Sequence, residues 1–372
     1  MIKKVISVVL LALVVIACSS SDGGESKPKD NFDRQTMLVN WADNIIIPVY
    51  QDLDSKLSAL VEAKNTFTVT ADQTNLEALR TAWLNAYKVW QYAEMFNIGK
   101  AEGIYYSSYM NIYPASAAEI EANIANGGYD LGLANNQDAV GFPALDYLLY
   151  GVAGDDSAIL EVYNTNANAS GYKTYLSDVI DKMKSLTETV LNDWTSTYRD
   201  TFVNSAGNTA TSSTNKLTND FIYYFEKGLR ANKFGIPAGI FSGGVLYPEK
   251  VEGYYNQDVS KELALVALQA SQDVFNGKAY NGTTNGSSFD DYLDYLQTIT
   301  DGEDLTALIN AQMNTARTQI QTVNTNFSSQ VENDNTKMTL SYDELQKVVV
   351  LLKLDMVQAM NISVDYIDAD GD

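Results

Sequence analysis

The 372-residue sequence contains no histidine and a single cysteine, Cys18. The absence of imidazole excludes Ser-His-Asp catalysis, histidine general bases and histidine-ligated haem. One cysteine excludes disulfides within the chain, and zinc sites built from cysteine and histidine are excluded as well. Aspartate, glutamate, tyrosine, lysine, serine and asparagine remain available for chemistry. Any bound metal must therefore be held mostly by oxygen atoms, which suits hard cations and ferric iron.

Positive charge is also scarce in this sequence. It has 25 lysine and arginine residues against 47 aspartate and glutamate residues, which gives a net charge of −22. We expect no nucleic-acid partner, because the phosphate backbone attracts basic surfaces. A negative field gathers cations near a protein surface, although the simpler interpretation is that the acidic surface keeps the protein soluble.

The N-terminal segment is typical of a bacterial lipoprotein. Two lysines precede an apolar run that is too short to span a membrane, and the run ends in VIA directly before Cys18. We therefore expect a signal peptide over 1–17 and a lipid anchor on the Cys18 thiol. Residues 18–33 are small and polar, as in a flexible tether. Ser19 after the cysteine favours the outer membrane, and we expect the periplasmic side rather than the cell surface.

The remaining chain, 34–372, has the apolar spacing of packed helices. Residues 70–73, TADQ, have the form of a capping box. After them, apolar residues recur at steps of three and four over 76–93, which predicts an amphipathic helix in a bundle. We predict an all-α fold of two helical-bundle halves, about 34–205 and about 212–372.

The other helical segments are predicted from the same spacing. They cover 34–62 with a kink at Pro48, 171–203, 214–234, 260–276, 288–299, 303–329 and 342–360. A loop is predicted from Gly127 to Val140. The small, uncharged stretch 204–215 is the predicted division between the halves.

Residues 141–151, GFPALDYLLYG, place an acid, Asp146, among apolar neighbours. Pro143 suits the first turn of a helix, where the dipole favours a carboxylate by about 0.3–1 kcal/mol. A buried carboxylate costs more than this unless it is paired, so the dipole alone would not hold Asp146 in a packed helix. The sequence leaves two interpretations open: Asp146 serves the helix terminus, or it belongs to a binding site.

A second candidate acid, Glu94, lies at the end of the helix predicted over 76–93. Glu94 follows Trp90 by four residues and Trp83 by eleven, so the three share one side of the helix. Glu94 therefore has two interpretations. It lies at the border of the apolar face with its carboxylate in water, or its carboxylate belongs to a binding site.

Six segments in this order resemble the landmarks of one protein family. They are AWLNAYKVWQYAEMFNIG (82–99), NIYPAS (111–116), GFPALDYLLYG (141–151), KFGIP (233–237), PEKVEGYY (248–255) and DADGD (368–372). The ordered set resembles the imelysin family, the insulin-cleaving metallopeptidase-like lipoproteins of bacterial envelopes. The resemblance covers most of residues 35–372 and implies an all-helical fold with a cleft at segment 141–151.

The sequence departs from this family in its Gly-x-His-x-x-Glu motif. Pro143 stands at the histidine position, and Asp146, a shorter acid, stands at the glutamate position. Only Gly141 matches the motif unchanged. Metallopeptidase chemistry needs a metal-activated water and a general base held by fixed ligands. Since Pro143 cannot bind a metal, we expect no peptide cleavage by the family's mechanism. The form with proline resembles a subgroup of envelope lipoproteins associated with iron transport.

Three functional hypotheses follow from the resemblance and the residues. The first is a non-catalytic lipoprotein that binds iron or an iron complex, with iron-uptake proteins as partners. Its site would contain Trp90, Glu94, Tyr113, Gly141 and Asp146, with Glu94 and Asp146 as oxygen ligands of the metal. The alternatives are a divergent metallopeptidase that uses carboxylates only, and a polysaccharide-binding or scaffold lipoprotein whose 24 tyrosines and four tryptophans provide a sugar-binding surface.

Lipidation at Cys18 gives a first testable prediction. We expect the mature protein to begin at Cys18 and to carry acyl chains, because this thiol is the acylation site. Cys18→Ser removes the thiol, so its intact mass should lack the acyl groups and retain the uncleaved signal peptide. Ser19→Ala is the control and should be processed like the wild type. Mass spectrometry of membrane extracts measures all three, and an acylated Cys18→Ser protein would contradict the prediction.

Overall fold

The structure is a computed structural model that describes residues 30–300 and 303–365. The predicted signal peptide, Cys18, the tether up to residue 29 and the DADGD segment lie outside the described residues. The described residues from Asp33 onward form one compact unit. The division of this unit into two halves at 204–215 stays a prediction.

The described residues fold into helices, which confirms the predicted all-α fold. The first eight are α1 (Arg34–Asn40, Trp41–Ile46 and Ile47–Val69), α2 (Gln73–Ala93), α3 (Lys100–Gly103), α4 (Tyr106–Met110), α5 (Ala117–Asn126), α6 (Gly141–Asp146 and Tyr147–Gly151), α7 (Asp156–Asn164) and α8 (Ala169–Asp193, Trp194–Tyr198 and Arg199–Asn204). The others are α9 (Ser213–Tyr223 and Tyr224–Gly235), α10 (Ser260–Phe275), α11 (Phe289–Tyr295), α12 (Leu305–Gln321), α13 (Phe327–Asn333) and α14 (Thr336–Val350, Leu351–Met356 and Val357–Met360).

Several shorter features complete the fold. Five of the helical segments are π-helical: Trp41–Ile46, Tyr147–Gly151, Trp194–Tyr198, Tyr224–Gly235 and Leu351–Met356. Short 3-10 turns cover Ala134–Ala139, Ile240–Ser242 and Pro248–Lys250. A small antiparallel hairpin pairs β1 (Ile299–Thr300) with β2 (Glu303–Asp304). None of the described helices has the length and apolar character needed to cross a membrane.

Helix α2 carries the clearest sequence signal, and its predicted apolar face is confirmed. The buried residues on this face are Leu76, Leu79, Trp83, Ala86, Trp90 and Ala93. Helix α2 packs against α1, which in turn packs against α8, and α2 also contacts α10. Helix α10 packs with α9, α11 and α12, and α14 packs with α9 and α12, so the contact between α2 and α10 connects these helices to α1 and α8.

The start of α1 packs against a distant part of the chain. The indole Nε1 of Trp41 donates a hydrogen bond to Oγ of Ser288 (2.7 Å), and its ring lies 4.6 Å from the ring of Phe289. The side-chain amide of Asn40 donates to the carbonyl oxygen of Gly277 (3.1 Å). The N-terminal helix is therefore held by residues from the C-terminal third of the sequence.

Pro48 does not end helix α1. It lies in the first turn of Ile47–Val69, directly after the π-helical turns Trp41–Ile46. Proline lacks the N–H that would bond to the carbonyl four residues earlier, here Asn44. That carbonyl instead accepts a hydrogen bond from the backbone N–H of Tyr280 (2.8 Å). The position predicted as a kink is thus a contact point for a C-terminal loop.

One predicted helix is wrong in extent. The segment 303–329 contains two helices, α12 and α13, separated by residues 322–326. The side-chain oxygen of Asn324 accepts from the N–H of Asn326 (3.1 Å), and that of Asn326 accepts from the N–H of Ser329 (2.9 Å). Short polar side chains that bond to nearby backbone compete with the helix and cap the next one.

Other predicted bounds also need correction. The predicted helix 288–299 ends at Tyr295, and the hairpin follows it. Helices α3, α4 and α7 were not predicted, nor was the 3-10 turn inside the predicted loop 127–140. Short elements of this kind carry too few apolar repeats to be detected from spacing.

The start of α2 differs from the predicted capping box. Asp72 is the N-cap residue, and its carboxylate accepts the N–H of Asn75 (2.9 Å). Thr70 instead ends α1 as its C-cap residue. The acid inside TADQ therefore has the role that the motif assigns to its threonine.

This correction predicts a difference between two exposed residues. Asp72→Ala should lower the free energy of unfolding by about 0.5–2 kcal/mol, because a helix N–H loses its acceptor. Thr70→Ala is the matched control and should change it by less than about 0.5 kcal/mol. Urea unfolding followed by circular dichroism measures both. A larger loss for Thr70→Ala would contradict the assignment of Asp72 as the cap.

Candidate functional site

The site is built around a buried ion pair between Lys233 and Glu252. Lys233 lies in the π-helical part of α9, and Glu252 follows the 3-10 turn Pro248–Lys250. Each side chain is only 2% exposed, and Nζ of Lys233 contacts Oε2 of Glu252. Taking two charges out of water is costly, so such a pair needs further hydrogen bonds to be held in place.

Two buried amides supply these hydrogen bonds. Gln91 of α2 accepts from Nζ of Lys233 (2.8 Å) and donates to Oε1 of Glu252 (3.1 Å). Asn111, which follows α4, donates to the same Oε1 (3.0 Å) and accepts from the hydroxyl of Tyr87 (2.6 Å). The ion pair is thereby bonded to α2 and to the segment after α4.

Glu94 is the second acid of this cluster and the C-cap residue of α2. Its two carboxylate oxygens accept long hydrogen bonds from the Asn111 amide (3.3 and 3.4 Å). Burial raises the pKa of Glu94 to about 7, and the negative charge of Glu252 contributes to the rise. Lys233, Asn111 and the indole of Trp90 act in the opposite direction. Glu94 therefore gains and loses its proton near neutral pH.

Two tyrosines lie close to these acids. Burial raises the pKa of Tyr113 and of Tyr224 well above the usual value, and the charges of Glu252 and Glu94 add to both shifts. The Tyr224 hydroxyl is shielded from solvent and has no hydrogen-bond partner among the described residues. The indole N–H of Trp90 likewise has no hydrogen bond of normal geometry there. Buried polar groups are nearly always paired, so the Tyr224 hydroxyl points to an additional interaction.

A cavity of about 370 Å³ lies beside Glu94. Its walls include Glu94, Asn111 and Tyr224 of the cluster, together with Asp220 and Lys227 of α9. Burial raises the pKa of Asp220 well above its usual value, and Oδ2 of this residue has no partner within the described ranges. In residues 30–300 and 303–365, no three acidic, histidine or cysteine side chains group as metal ligands.

Asp146 bonds to the loop that follows Glu252. It is 2% exposed, and its carboxylate accepts the backbone N–H groups of Tyr255 (2.8 Å) and Asn256 (2.9 Å). Burial raises the pKa of Asp146 to about 7; the two backbone hydrogen bonds oppose this shift and the charge of Glu252 adds to it. This cross-link between distant segments differs from the helix-terminus interpretation of the sequence.

Gly141 allows α6 to approach α4 closely. Its φ is +87°, and a Cβ atom there would lie 2.3 Å from the carbonyl oxygen of Met110. Met110 directly precedes Asn111, so the close approach places α6 next to the amide that bonds both acids. The following residue, Phe142, stacks on the ring of Tyr87 with centroids 4.5 Å apart.

The structure separates the five predicted site residues into two groups. Glu94 lines the cavity, and Trp90 and Tyr113 lie close enough to interact with Glu94 electrostatically. Gly141 and Asp146 do not line the cavity; they hold the segments that surround the cluster.

Sequence reasoning missed most of the cluster. The missed residues are Tyr87, Gln91, Asn111, Tyr224, Lys233 and Glu252. Asn111, Lys233 and Glu252 lie in the segments NIYPAS, KFGIP and PEKVEGYY, so the landmarks contained them without indicating their role. Gln91 and Tyr87 lie within the helix predicted over 76–93, but the spacing did not distinguish them from its packing residues.

The fold and the cluster define an all-α protein with a buried charged network beside a cavity. The imelysin family model matches residues 46–352, so the chain belongs to the imelysin family.

Two solved structures share this fold. An imelysin-like protein from Psychrobacter arcticum 273-4 is 18% identical with a TM-score of 0.68. A provisionally named iron-regulated protein A precursor from Parabacteroides distasonis ATCC 8503 is 17% identical with a TM-score of 0.71. Each comparison covers 90% of this chain and 97% of the other. No curated protein matches the sequence.

Glu94 predicts a pH dependence of stability. The pKa of Glu94 is raised to about 7 in the folded protein, so Glu94 keeps its proton up to about pH 7, whereas a glutamate exposed to water releases it near pH 4.5. Between these values the folded state binds more protons, so this residue makes stability fall as the pH rises. Glu94→Gln removes the effect, and its stability relative to the wild type should rise by at most about 1.4 kcal/mol per pH unit.

Urea unfolding between pH 4.5 and pH 7 measures this slope. Glu249→Gln alters an exposed glutamate and is the control, so it should keep the wild-type slope. Parallel pH profiles for the wild type and Glu94→Gln would contradict the raised pKa of Glu94.

Proposed function

We propose that this protein is a non-catalytic, ligand-binding lipoprotein whose ligand is iron or an iron complex. The ligand would lie in the cavity beside Glu94. The proposal rests on two side chains in the wall of this cavity. Glu94 is a carboxyl with a raised pKa, and the buried hydroxyl of Tyr224 has no hydrogen-bond partner among the described residues. Carboxylate and phenol oxygens are hard donors, and hard donors suit ferric iron.

The charges around the cavity favour a positively charged ligand. Glu252 is neutralised by Lys233, but Glu94 has no ion-pair partner among the described residues. The two acids also raise the pKa of Tyr113 and of Tyr224. A bound cation would stabilise the ionised forms of Glu94 and both tyrosines, since an opposite charge nearby lowers the pKa of an acid.

Sequence and family also support binding rather than catalysis. The chain has no histidine, and Pro143 stands where the family motif has one, so the ligand set of a metallopeptidase is incomplete. One structural neighbour carries the name of an iron-regulated protein. A lipid anchor on Cys18 would hold the protein at the periplasmic side of the outer membrane, where iron-uptake proteins would be its partners.

Titration with ferric iron, supplied as its nitrilotriacetate complex, tests the proposal. We expect a visible phenolate-to-iron charge-transfer band, which Tyr224→Phe should abolish. Glu94→Gln should weaken binding by at least about tenfold, because it removes an anionic oxygen donor. The affinity should rise as the pH increases through about 7, since Glu94 must lose its proton to bind a cation.

Tyr105→Phe alters a tyrosine that is 69% exposed and is the matched control for Tyr224→Phe. Binding that both site variants leave unchanged would remove Glu94 and Tyr224 from the site. Chelator-sensitive cleavage of casein would instead favour the divergent metallopeptidase. Retention by a polysaccharide in a native gel, without iron binding, would favour the polysaccharide-binding alternative.

A further inference from the structure

Exposed apolar side chains are concentrated in one loop, which covers residues 239–247, GIFSGGVLY. Of the thirteen large apolar side chains that are exposed in the described residues, four lie in this loop: Ile240 (38%), Phe241 (41%), Val245 (55%) and Leu246 (40%). The other nine are spread along the sequence. Clustered exposed apolar side chains mark interaction sites, whereas scattered ones are normal. We call residues 239–247 the apolar loop.

The apolar loop has a fixed shape. The N–H of Gly244 donates to the carbonyl of Gly239 (2.9 Å), and that of Tyr247 donates to the carbonyl of Pro237 (3.0 Å). Gly239 has a φ of +79°, and a Cβ atom there would lie 2.7 Å from the carbonyl oxygen of Val245. A loop whose shape is already fixed loses little conformational entropy when it binds a partner. The cost of binding through these exposed side chains is therefore low.

The buried ion pair closes the base of this loop. Lys233 precedes the apolar loop and Glu252 follows it, and the contact between their side chains joins the two stems. The ion pair of the site therefore links the two chain segments that lead into and out of the apolar loop.

The charge pattern of the loop fits an uncharged surface. Residues 236–248 contain no charged side chain, in a chain whose net charge is −22. Tyr247 ends the apolar loop, and Nζ of Lys250, three residues later, lies 3.9 Å from the centre of its ring. Tyrosine and lysine are both typical of the membrane–water boundary, where the ring lies at the headgroups and the ammonium reaches water.

We propose that the apolar loop inserts into the surface of a lipid bilayer. Eleven residues lie between Cys18 and Asp30, where the described structure begins, so a lipid on Cys18 would keep the domain within about 40 Å of the membrane. A tethered domain meets the bilayer at a high effective concentration, and a few apolar side chains then suffice for stable contact. Tyr247 and Lys250 would lie at the headgroups, and the four exposed apolar side chains of the loop would enter the apolar region below them.

Tryptophan fluorescence in vesicles tests this contact. The four native tryptophans, Trp41, Trp83, Trp90 and Trp194, are at most 1% exposed, so lipid should not change their emission. The membrane-extracted full-length mature protein is reconstituted into phosphatidylcholine vesicles that contain brominated lipid. In Phe241→Trp, the new indole should emit at shorter wavelength and be quenched by the bromines.

Two further variants make the result decisive. Val245→Trp places the reporter on the other limb of the loop and should be quenched too, even if Phe241→Trp disturbs the contact with Tyr342. Val69→Trp is the matched control, since Val69 is 82% exposed at the end of α1 and should not be quenched.

Quenching at both loop positions, with none at Val69, would support the proposal, and it should persist at high salt because the contact is apolar. Absence of quenching at both loop positions would overturn it. Shielding of the loop reporters that needs no lipid and grows with protein concentration would also overturn it, in favour of contact between two copies of the chain.

Discussion

The ion pair between Lys233 and Glu252 is the interaction on which the rest of the site depends. The two charges are buried, so their stability rests on the amides of Gln91 and Asn111, which bond to the carboxylate and, through Gln91, to the ammonium. These bonds bring together α2, the segment after α4, α9 and the loop that carries Asp146's partners. Partners of a buried pair are strongly coupled, because removal of one leaves the other charged and unpaired.

The same pair explains the properties of its surroundings. Lys233 is paired with Glu252. Glu94 therefore remains a half-buried carboxyl without an ion-pair partner among the described residues, and its pKa is raised to about 7. The cavity beside Glu94 is therefore lined by an acid that has no ion-pair partner among the described residues, and the charges of Glu94 and Glu252 raise the pKa of Tyr113 and of Tyr224. The apolar loop lies between Lys233 and Glu252 in sequence, so the ion pair also joins the two stems of this loop. One network therefore supports both the cavity and the exposed loop.

Much of the fold was predictable from the sequence, and most of the site was not. The steps of three and four residues in α2 predicted its buried face, including Trp90, because helix periodicity is a local property. The break between α12 and α13 was missed because it depends on side-chain bonds of Asn324 and Asn326. The role of Glu252 was not predictable, because its partners lie 19 to 161 residues away and no periodicity encodes such pairing. Asp146 illustrates the same limit, since its partners are backbone N–H groups that any residue type provides.

The most direct test of this account is a double-mutant cycle on the buried pair, with Lys233→Met and Glu252→Gln measured by urea unfolding. Each single substitution should lower the free energy of unfolding by about 3–5 kcal/mol, because it leaves one buried group without its partner. The double variant should lose clearly less than the sum of the two, since neither charge is then left unpaired. Additive losses, or small losses from the single substitutions, would contradict the claim that this pair organises the site.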